Sequence, residues 1–329
     1  MKKLLNAVDD AVRESLVGFG AAHEDLVRVH LDPMYVTRAQ PLLRGTVAVV
    51  SGGGSGHEPL HTGLVGEGML AAAVPGEMFT SPTPDQIAAA YQAADAGGGV
   101  LAIVKNYTGD VLNFETAAEL ADGLDVEQVL VNDDVAVEDS LFTAGRRGVA
   151  GTLLVEKVAG AAAERGDDLA AVAEVARRAA GAVRSMGVAL RAPVVPHTGR
   201  ASFDLTDEEV EIGIGIHGEP GRHREPFTGA DAITAALLDA VTDDLRLASG
   251  ESVLLFVNGM GATPLSELYV VYGRARTMLA ERGVQVTRSL VGSYVTSLDM
   301  QGASITVMRL DEELTSLWDA PVHTAALRW

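Results

Sequence analysis

The sequence predicts an α/β protein with two α/β domains, each a mixed or mostly parallel sheet flanked by helices. Short runs rich in Val, Ile and Leu alternate with longer segments of helical spacing, which is typical of buried strands covered by helices. The chain has 329 residues, which suits two domains better than one hydrophobic core. Its hydrophobic content of 47% is typical of a packed globular protein.

Seven apolar runs predict strands, because aliphatic and β-branched residues in them are bounded by Gly, Asn or Asp. In chain order, the predicted strands are 46–50, 99–104, 128–132, 211–216, 253–257, 284–290 and 304–309.

Apolar residues at helical spacing predict three helices. Two of them cover 169–186 and 265–279. The first, near the N terminus, has a stripe of Leu5, Val8, Val12 and Leu16.

A domain boundary is predicted at 187–200, where the helical pattern ends and two prolines and two glycines follow. We therefore expect an N-terminal domain over 1–186 and a C-terminal domain over 187–329.

Charge and composition exclude several classes of protein. A net charge of -20 argues against a nucleic-acid or anionic-membrane surface. The absence of cysteine excludes disulfides and thiolate metal sites. The start "MKKLL" resembles a signal peptide, but Asp9 and Asp10 interrupt it, and no apolar run is long enough to span a membrane. We therefore expect a soluble cytoplasmic protein.

The segment "TVAVVSGGGSGHEPL" at 46–60 runs an apolar strand into four glycines. It matches neither the dinucleotide fingerprint, which needs glycine where His57 stands, nor the Walker loop, which needs lysine there. The glycines allow a small, oxygen-rich ligand to approach the backbone, and Pro59 fits the first position of a following helix. The alternative is a structural turn without a ligand.

The pattern "HEPLH" at 57–61 also matches the zinc-protease spacing of two histidines. That motif needs a continuous helix, which an interior Pro59 would break, and the sequence offers no obvious third ligand. We therefore predict no metal on this chain.

Two further segments carry candidate site residues. In "EIGIGIHGEPG", His217 ends a predicted strand beside a glycine, where a ligand can reach it; the alternative is a structural histidine. In "IVKNYTGDVLNFETA", Lys105 and Asp110 follow a strand, at the loop position favoured for ligands in open α/β sheets. Asp110 would accept a proton and Lys105 would balance substrate charge, unless the two form a surface ion pair without chemistry.

Together with other segments, these motifs resemble the family of dihydroxyacetone-binding subunits of dihydroxyacetone kinase. The resemblance covers nearly the whole chain and implies two α/β domains and a homodimer. The further segments that carry it are "PGEMFTSPTPDQI", "NDDVAVEDSLFTAGRRGVAGT", "GATPLSELY", "SLDMQGASIT" and "WDAPVHTAALRW".

The resemblance also implies roles for the candidate residues. His217 matches the histidine that forms a covalent hemiaminal with the substrate ketone, and His57 and Asp110 match residues that act on the substrate hydroxyls. Thr80 and Ser81 are secondary candidates for the pocket wall. The implied substrate-binding residues are Gly54, Ser55, Gly56, His57, Lys105, Asp110 and His217.

The implied chemistry is coherent, because a neutral imidazole nitrogen can add to a ketone carbon. Glycerol has no carbonyl, so the bond would select dihydroxyacetone and hold its hydroxyl for attack on phosphorus. His57 and Asp110 would serve as general base, alone or as a coupled pair.

The resemblance implies partners that this sequence lacks. No nucleotide loop was found, so a partner L subunit is expected to carry ADP or ATP with Mg, and this chain is expected to bind no cofactor. In the phosphotransferase version a third, phosphohistidine-bearing subunit rephosphorylates the ADP. Some relatives carry a longer insertion before the strand at 253, so we expect a flap or partner contact to differ here.

Two alternatives to this kinase subunit stay open. One is a non-catalytic paralogue that binds the ketone and signals to a transcription regulator. The other is a kinase subunit for another short ketose, such as erythrulose. The joint presence of His57, Asp110 and His217 favours the enzyme over the paralogue, whereas the sequence does not separate the two ketoses.

Overall fold

The computed structural model describes residues 2–138 and 143–329. Residues 139–142, which belong to one of the motifs quoted above, lie outside the described residues.

The helices, in chain order, are α1 (Ala11–Ala22), α2 (Pro84–Ala94), α3 (Thr108–Leu120), α4 (Gly151–Arg165), α5 (Leu169–Ala182), α6 (Ala230–Leu245), α7 (Leu265–Glu281) and α8 (Glu312–Asp319). The strands are β1 (Val27–Leu31), β2 (Met34–Arg38), β3 (Ala48–Ser55), β4 (Gly66–Glu67), β5 (Ala72–Met78), β6 (Val100–Lys105), β7 (Val126–Val131), β8 (Val183–Arg191), β9 (Val194–Val195), β10 (Arg200–Ala201), β11 (Glu209–Ile212), β12 (His223–Pro226), β13 (Ser252–Gly259), β14 (Gln285–Gly292), β15 (Gln301–Leu310) and β16 (His323–Thr324).

Two mixed six-stranded sheets organise the molecule and confirm the predicted fold class. The first has the order β1-β2-β5-β3-β6-β7, with β5, β3, β6 and β7 parallel. The second has the order β12-β11-β8-β15-β13-β14 and is antiparallel except between β13 and β14. The predicted boundary between 186 and 187 falls inside β8, and the division into two domains stays a prediction.

Alternating side chains of the central strands enter different apolar cores, as the period of two in a strand requires. In β3, Val50 packs with residues of α2 and α3, whereas Val49 packs with residues of α4 and α5. In β13, Phe256 joins the same core as Val49, and Leu255 packs with residues of α6 and α7. The pair α4 and α5 therefore lies between the two sheets.

Two helix predictions need correction. Leu5 and Val8 precede α1, which begins at Ala11, and both side chains are exposed. The helix predicted over 169–186 ends at Ala182, because the chain from Val183 onward pairs with β15 instead. Val183 and Met186 keep helical spacing by coincidence.

One predicted strand is also too long. The run 211–216 stays in the sheet only to Ile212, since Gly213 turns the backbone away at a φ of +83°. The other six predicted strands are confirmed with shifted ends. Four longer strands were not predicted: β1, β2, β5 and β8.

Within the described part of the chain, no helix combines the length and apolar character that crossing a membrane requires.

Candidate functional site

The glycine segment lies in a strand and is not the loop before a helix that the sequence predicted. β3 continues through Gly52, Gly53 and Gly54 to Ser55, paired with β5. The prediction that a helix begins at Pro59 is wrong. The carbonyl groups of Gly56 and His57 accept hydrogen bonds from the backbone N–H groups of 298 and 296, so the chain is tied to the second half of the molecule.

Close approach explains why two of these positions are glycine. A Cβ atom on Gly53 would lie 2.2 Å from Lys105 Nζ, and one on Gly54 would lie 2.6 Å from the backbone nitrogen of Thr80. The lack of a side chain at Gly53 and Gly54 therefore lets Lys105 and the turn after β5 pack directly against the strand.

His57 is fully buried and held in one tautomer. Its Nδ1 lies 2.7 Å from the carbonyl oxygen of Thr296, which can only accept, so Nδ1 carries the proton. Nε2 then bears a lone pair, and it has no hydrogen-bond partner among the described residues. Burial, together with the nearby His217 and Lys105, holds the pKa of His57 well below its ordinary value. The ring is therefore neutral and offers a free acceptor.

His217 lies in the turn after β11, not at a strand end as predicted, and its orientation is fixed by Glu219. The carboxylate accepts from His217 Nδ1 at 2.9 Å and from its backbone N–H at 2.9 Å. Burial opposes the charge on Glu219, but His217 and Arg147 outweigh it and lower its pKa to about 2. Nδ1 thus carries the proton, and the His217 Nε2 lone pair is left for a ligand.

The two histidines meet although they are distant in sequence. The ring centroids of His57 and His217 are 4.7 Å apart, with the rings nearly perpendicular. Phe79 stacks on His57 at 5.1 Å, and Tyr107 contacts the His217 ring at 4.7 Å. The His217 side chain keeps 21% of its surface exposed, so a small molecule can reach it.

Lys105 and Asp110 are buried, so the alternative of a surface ion pair is wrong. Lys105 ends β6, whereas Asp110 lies in the first turn of α3 and not in a loop as predicted. Lys105 Nζ is 3.6 Å from Asp110 Oδ2 and donates to the carbonyl oxygen of Gly52 at 2.9 Å. The other carboxylate oxygen, Asp110 Oδ1, has no partner among the described residues.

Within the part of the chain that the structure describes, three buried polar atoms of this region lack a hydrogen-bond partner: His57 Nε2, Asp110 Oδ1 and Tyr107 Oη. Buried polar atoms in folded proteins are nearly always hydrogen-bonded. A small ligand with several oxygens would satisfy such a set. Burial raises the pKa of Tyr107 well above its ordinary value, so its hydroxyl stays a donor.

The remaining predicted residues surround the same place. Gly56 has a φ of +107°, and a Cβ there would lie 2.7 Å from the Phe79 ring. Ser55 Oγ donates to the carbonyl oxygen of Gly76 at 2.7 Å. Thr80 lies against Gly54, and Ser81 lies against Gly109 in the first turn of α3.

The pair in "HEPLH" does not lie on one helix, as the zinc motif would need. His61 contacts Ser51, Lys105 and Glu156 through its two ring nitrogens. His57 instead faces Thr296 and His217.

A cavity of about 670 Å³ adjoins the glycine strand from another side. It is bordered by Gly54, Ser55 and His61, and by apolar residues of α1. Neither His57, Asp110 nor His217 lines it, so this cavity is separate from the paired histidines.

Sequence reasoning missed three residues of the site. Glu219 stands two positions after His217 in "HGEPG", and Tyr107 stands in "KNYTGD", so both were within quoted motifs. A carboxylate near a candidate nucleophilic histidine was the available signal for Glu219. Phe79 also stands in a quoted segment, "PGEMFTSPTPDQI", but nothing in that segment indicated that its ring reaches both histidine rings from a backbone φ of +54°.

A family model described as the Dak1 domain matches residues 17–326. The chain belongs to the Dak1 family.

Relatives of the family match over the whole chain. The PEP-dependent dihydroxyacetone kinase subunit DhaK of Escherichia coli, described as dihydroxyacetone-binding, is 51% identical over 355 positions, covering 100% of this chain and 99% of that protein. The aligned length exceeds the 329 residues here, so that Dak1 relative carries residues that this chain lacks.

Two solved structures are similar to this Dak1 protein. The dihydroxyacetone kinase of C. freundii has a TM-score of 0.89 at 36% identity, covering 98% of this chain and 60% of that chain. The dihydroxyacetone kinase operon co-activator Dha-DhaQ has a TM-score of 0.90 at 34% identity, covering 95% of this chain and 97% of that chain.

Proposed function

We propose that this chain is the dihydroxyacetone-binding subunit of a dihydroxyacetone kinase and that it holds its substrate covalently on His217. The observation that carries the proposal is the state of the His217 ring. Its Nδ1 is held by the Glu219 carboxylate, which leaves Nε2 for a ligand, and its ring centroid lies 4.7 Å from that of His57, whose Nε2 has no partner among the described residues. The 51% identity to the E. coli subunit supports the same substrate class.

In the first step, the Nε2 lone pair of His217 forms a bond to the carbonyl carbon of dihydroxyacetone. The C=O π electrons move to oxygen, which takes a proton from water. The ring gives up the proton on Nδ1 to the Glu219 carboxylate, which returns it to the solvent, so the protons balance. A neutral hemiaminal results. Glu219 stabilises the ring while it carries positive charge, because a carboxylate favours an imidazolium.

In the second step, a terminal hydroxyl of the bound triose attacks a phosphoryl group. His57 Nε2 and Asp110 Oδ1 are free acceptors, so either can take the hydroxyl proton. The phosphoryl group comes from a nucleotide with Mg, which we place on a partner L subunit. A structure of the C. freundii kinase in complex with AMP-PNP and Mg2+ has a TM-score of 0.88 to this chain.

Covalent binding accounts for substrate selection. Glycerol has similar hydroxyls but no carbonyl carbon for His217 to attack. Hydrogen bonds to such a small, polar molecule discriminate less well than a bond that one substrate cannot form.

The oligomeric assembly, the partners and the cellular location that we expect from the sequence stay proposals. They are a homodimer, a phosphohistidine carrier that recharges ADP on the L subunit, and a cytoplasmic location. The E. coli relative is named as PEP-dependent, which supports the carrier as phosphate source.

Reconstitution tests the function directly. The full chain is mixed with an L subunit and supplied with either ATP and Mg or a phosphorylated carrier, and triose phosphate is measured. We expect turnover of dihydroxyacetone with one donor and none of glycerol. No turnover of dihydroxyacetone with either donor would refute the kinase function, and a higher kcat/KM for erythrulose would transfer it to that ketose.

The co-activator alternative makes a different prediction in the same assay. A ketone-binding paralogue would form the adduct without turnover. The free acceptors on His57 and Asp110 favour the enzyme, because binding through His217 does not need two bases.

A further inference from the structure

Lys105 is held by a second group of residues, which joins His61 of "HEPLH" to Glu156, a residue of no quoted motif. Besides Gly52 and Asp110, its Nζ contacts His61 Nε2 at 2.8 Å. The ammonium group has three N–H bonds, and these three residues are its neighbours. An ammonium cannot accept, so it donates to His61 Nε2.

This contact fixes the tautomer of His61. With Nε2 accepting, the proton of the neutral ring is on Nδ1, which lies 2.6 Å from Glu156 Oε1 and 3.1 Å from Ser51 Oγ. Ser51 Oγ donates onward to the carbonyl oxygen of Ile103 at 2.7 Å. Burial lowers the pKa of His61 well below its ordinary value, which agrees with a neutral ring.

The group is buried and spans several elements. Lys105 and Glu156 have no exposed surface, and His61 has 5%. They come from β6, from α4 and from the turn after β3. Burying such polar groups is costly unless their bonds are made, so a structural role alone would be better served by apolar side chains.

We propose that His61 and Glu156 are positioning residues that orient the Lys105 ammonium toward Asp110. Through Asp110 they would set the rate of the phosphorylation step. This rests on the proposed function of Asp110. Neither residue contacts His217 by any described hydrogen bond or ring contact, so formation of the covalent adduct does not depend on them.

The charge state of Glu156 adds a pH-dependent readout. Burial raises the pKa of Glu156 to about 8, although Ser51 and Lys105 oppose the rise. The charged or titratable groups around this part of the site are Lys105, His61, Asp110, His57 and Tyr107. As the pH rises through about 8, Glu156 becomes a carboxylate that competes with Asp110 for the lysine.

The test uses the full chain with its L subunit and measures kcat, KM and adduct mass for His61→Leu, Glu156→Leu and Glu156→Gln. We expect both leucine variants to lose about 10- to 100-fold in kcat, the scale for misplacing a catalytic group, with the adduct retained. Glutamine mimics the protonated acid and can still accept from His61 Nδ1. Glu156→Gln should therefore recover most of the loss of Glu156→Leu.

The pH profile separates positioning from simple folding support. Wild type should lose activity as the pH rises through about 8, and Glu156→Gln should lack this decline. Lys157→Met is the matched control, since Lys157 is the next residue of α4, is also buried, and has a pKa lowered by burial to about 8. Its Nζ donates to the carbonyl oxygen of Leu317 at 2.8 Å, outside the group, so the decline should persist in that variant.

The outcomes distinguish failure of this proposal from failure of the proposed kinase function on which it rests. Wild type without adduct or turnover would refute the function. Wild type with both, but with leucine variants of unchanged kcat, would overturn the positioning role. The same holds if Glu156→Gln is as impaired as Glu156→Leu, or if it keeps the decline at high pH.

Discussion

At the scale of single residues, the site depends on which nitrogen of each histidine is occupied. His57 and His217 both carry their proton on Nδ1, one against a carbonyl oxygen and the other against a carboxylate. The Nε2 atoms are thereby left free, and we propose that the substrate takes them. The two partners suit the proposed roles, because burial keeps the proton acceptor His57 neutral and a nearby negative charge favours the nucleophile His217.

The bases should be separable from the nucleophile. For His57→Ala and Asp110→Ala we expect the adduct to form while phosphorylation falls about 100-fold, as for loss of general base catalysis. Intact mass measures the first property and coupled turnover with the L subunit the second. Loss of the adduct in either variant would instead assign that residue to carbonyl addition.

The negative charge of Glu219 should matter more for adduct formation than the shape of its side chain. Glu219→Gln keeps an acceptor oxygen for His217 Nδ1 but loses the charge and the second oxygen, which accepts from the His217 backbone N–H. A charged hydrogen bond is stronger than a neutral one by about 1.4 kcal/mol. We expect adduct formation to slow about 10-fold. Rapid-quench mass measurements check this, and an unchanged rate would contradict the role given to the charge.

Glu219 also predicts a pH dependence of stability. Its folded pKa of about 2 lies below the ordinary 4.5, so its contribution is present above pH 4.5 and is lost as the pH falls toward 2. The contribution is about 3 kcal/mol. Urea unfolding between these pH values should show this loss in wild type and not in Glu219→Gln; equal loss in both would contradict it.

At the scale of elements, the glycines of β3 let Lys105 and the turn after β5 both pack against this strand. Gly54→Ala would place a Cβ 2.6 Å from a backbone nitrogen, which cannot move away as a flexible side chain can. We expect a loss of about 1–3 kcal/mol in the free energy of unfolding, together with weaker adduct formation. Gly273→Ala in α7 is the control, because its Cβ would meet nothing within 4 Å, and helix propensity should make it neutral or stabilising. An equal change in the free energy of unfolding for Gly54→Ala and Gly273→Ala would contradict a close contact at Gly54.

The elements also show where prediction from sequence stops. Runs such as 99–104 and 253–257 identify strands because they are buried on both faces. β1 contains Arg28 and His30 at a sheet edge, and β5 contains Pro75, so neither has that composition. The histidines, Lys105 and Asp110 were found through motifs, whereas Glu156 lies in an apolar helix, and only the fold brings it to Lys105.

At the scale of the whole molecule, the site joins both halves of the chain. His57 follows β3 of the first sheet, and its Nδ1 donates to the carbonyl oxygen of Thr296 in the second half of the chain. His217 lies in the turn after β11. Arg147 supports that turn by donating to Asp134 at 2.8 Å and to the carbonyl oxygen of Gly213 at 2.8 Å. The two histidines therefore meet only in the folded chain.

The phosphate donor is placed outside this chain, and that placement has a direct test. The purified chain with ATP, Mg and dihydroxyacetone should form the adduct but release no triose phosphate. Adding the L subunit should start turnover with whichever donor that subunit uses. Sustained turnover without the L subunit would contradict the need for a partner.

The central claim is that His217 Nε2 bonds covalently to the ketone carbon. Intact mass of the full chain with and without dihydroxyacetone tests it most directly, with His217→Ala measured alongside. The account predicts an increase of one triose per chain in wild type and none in the variant. An adduct that survives in His217→Ala, or a wild-type chain that binds the triose without any mass increase, would contradict it.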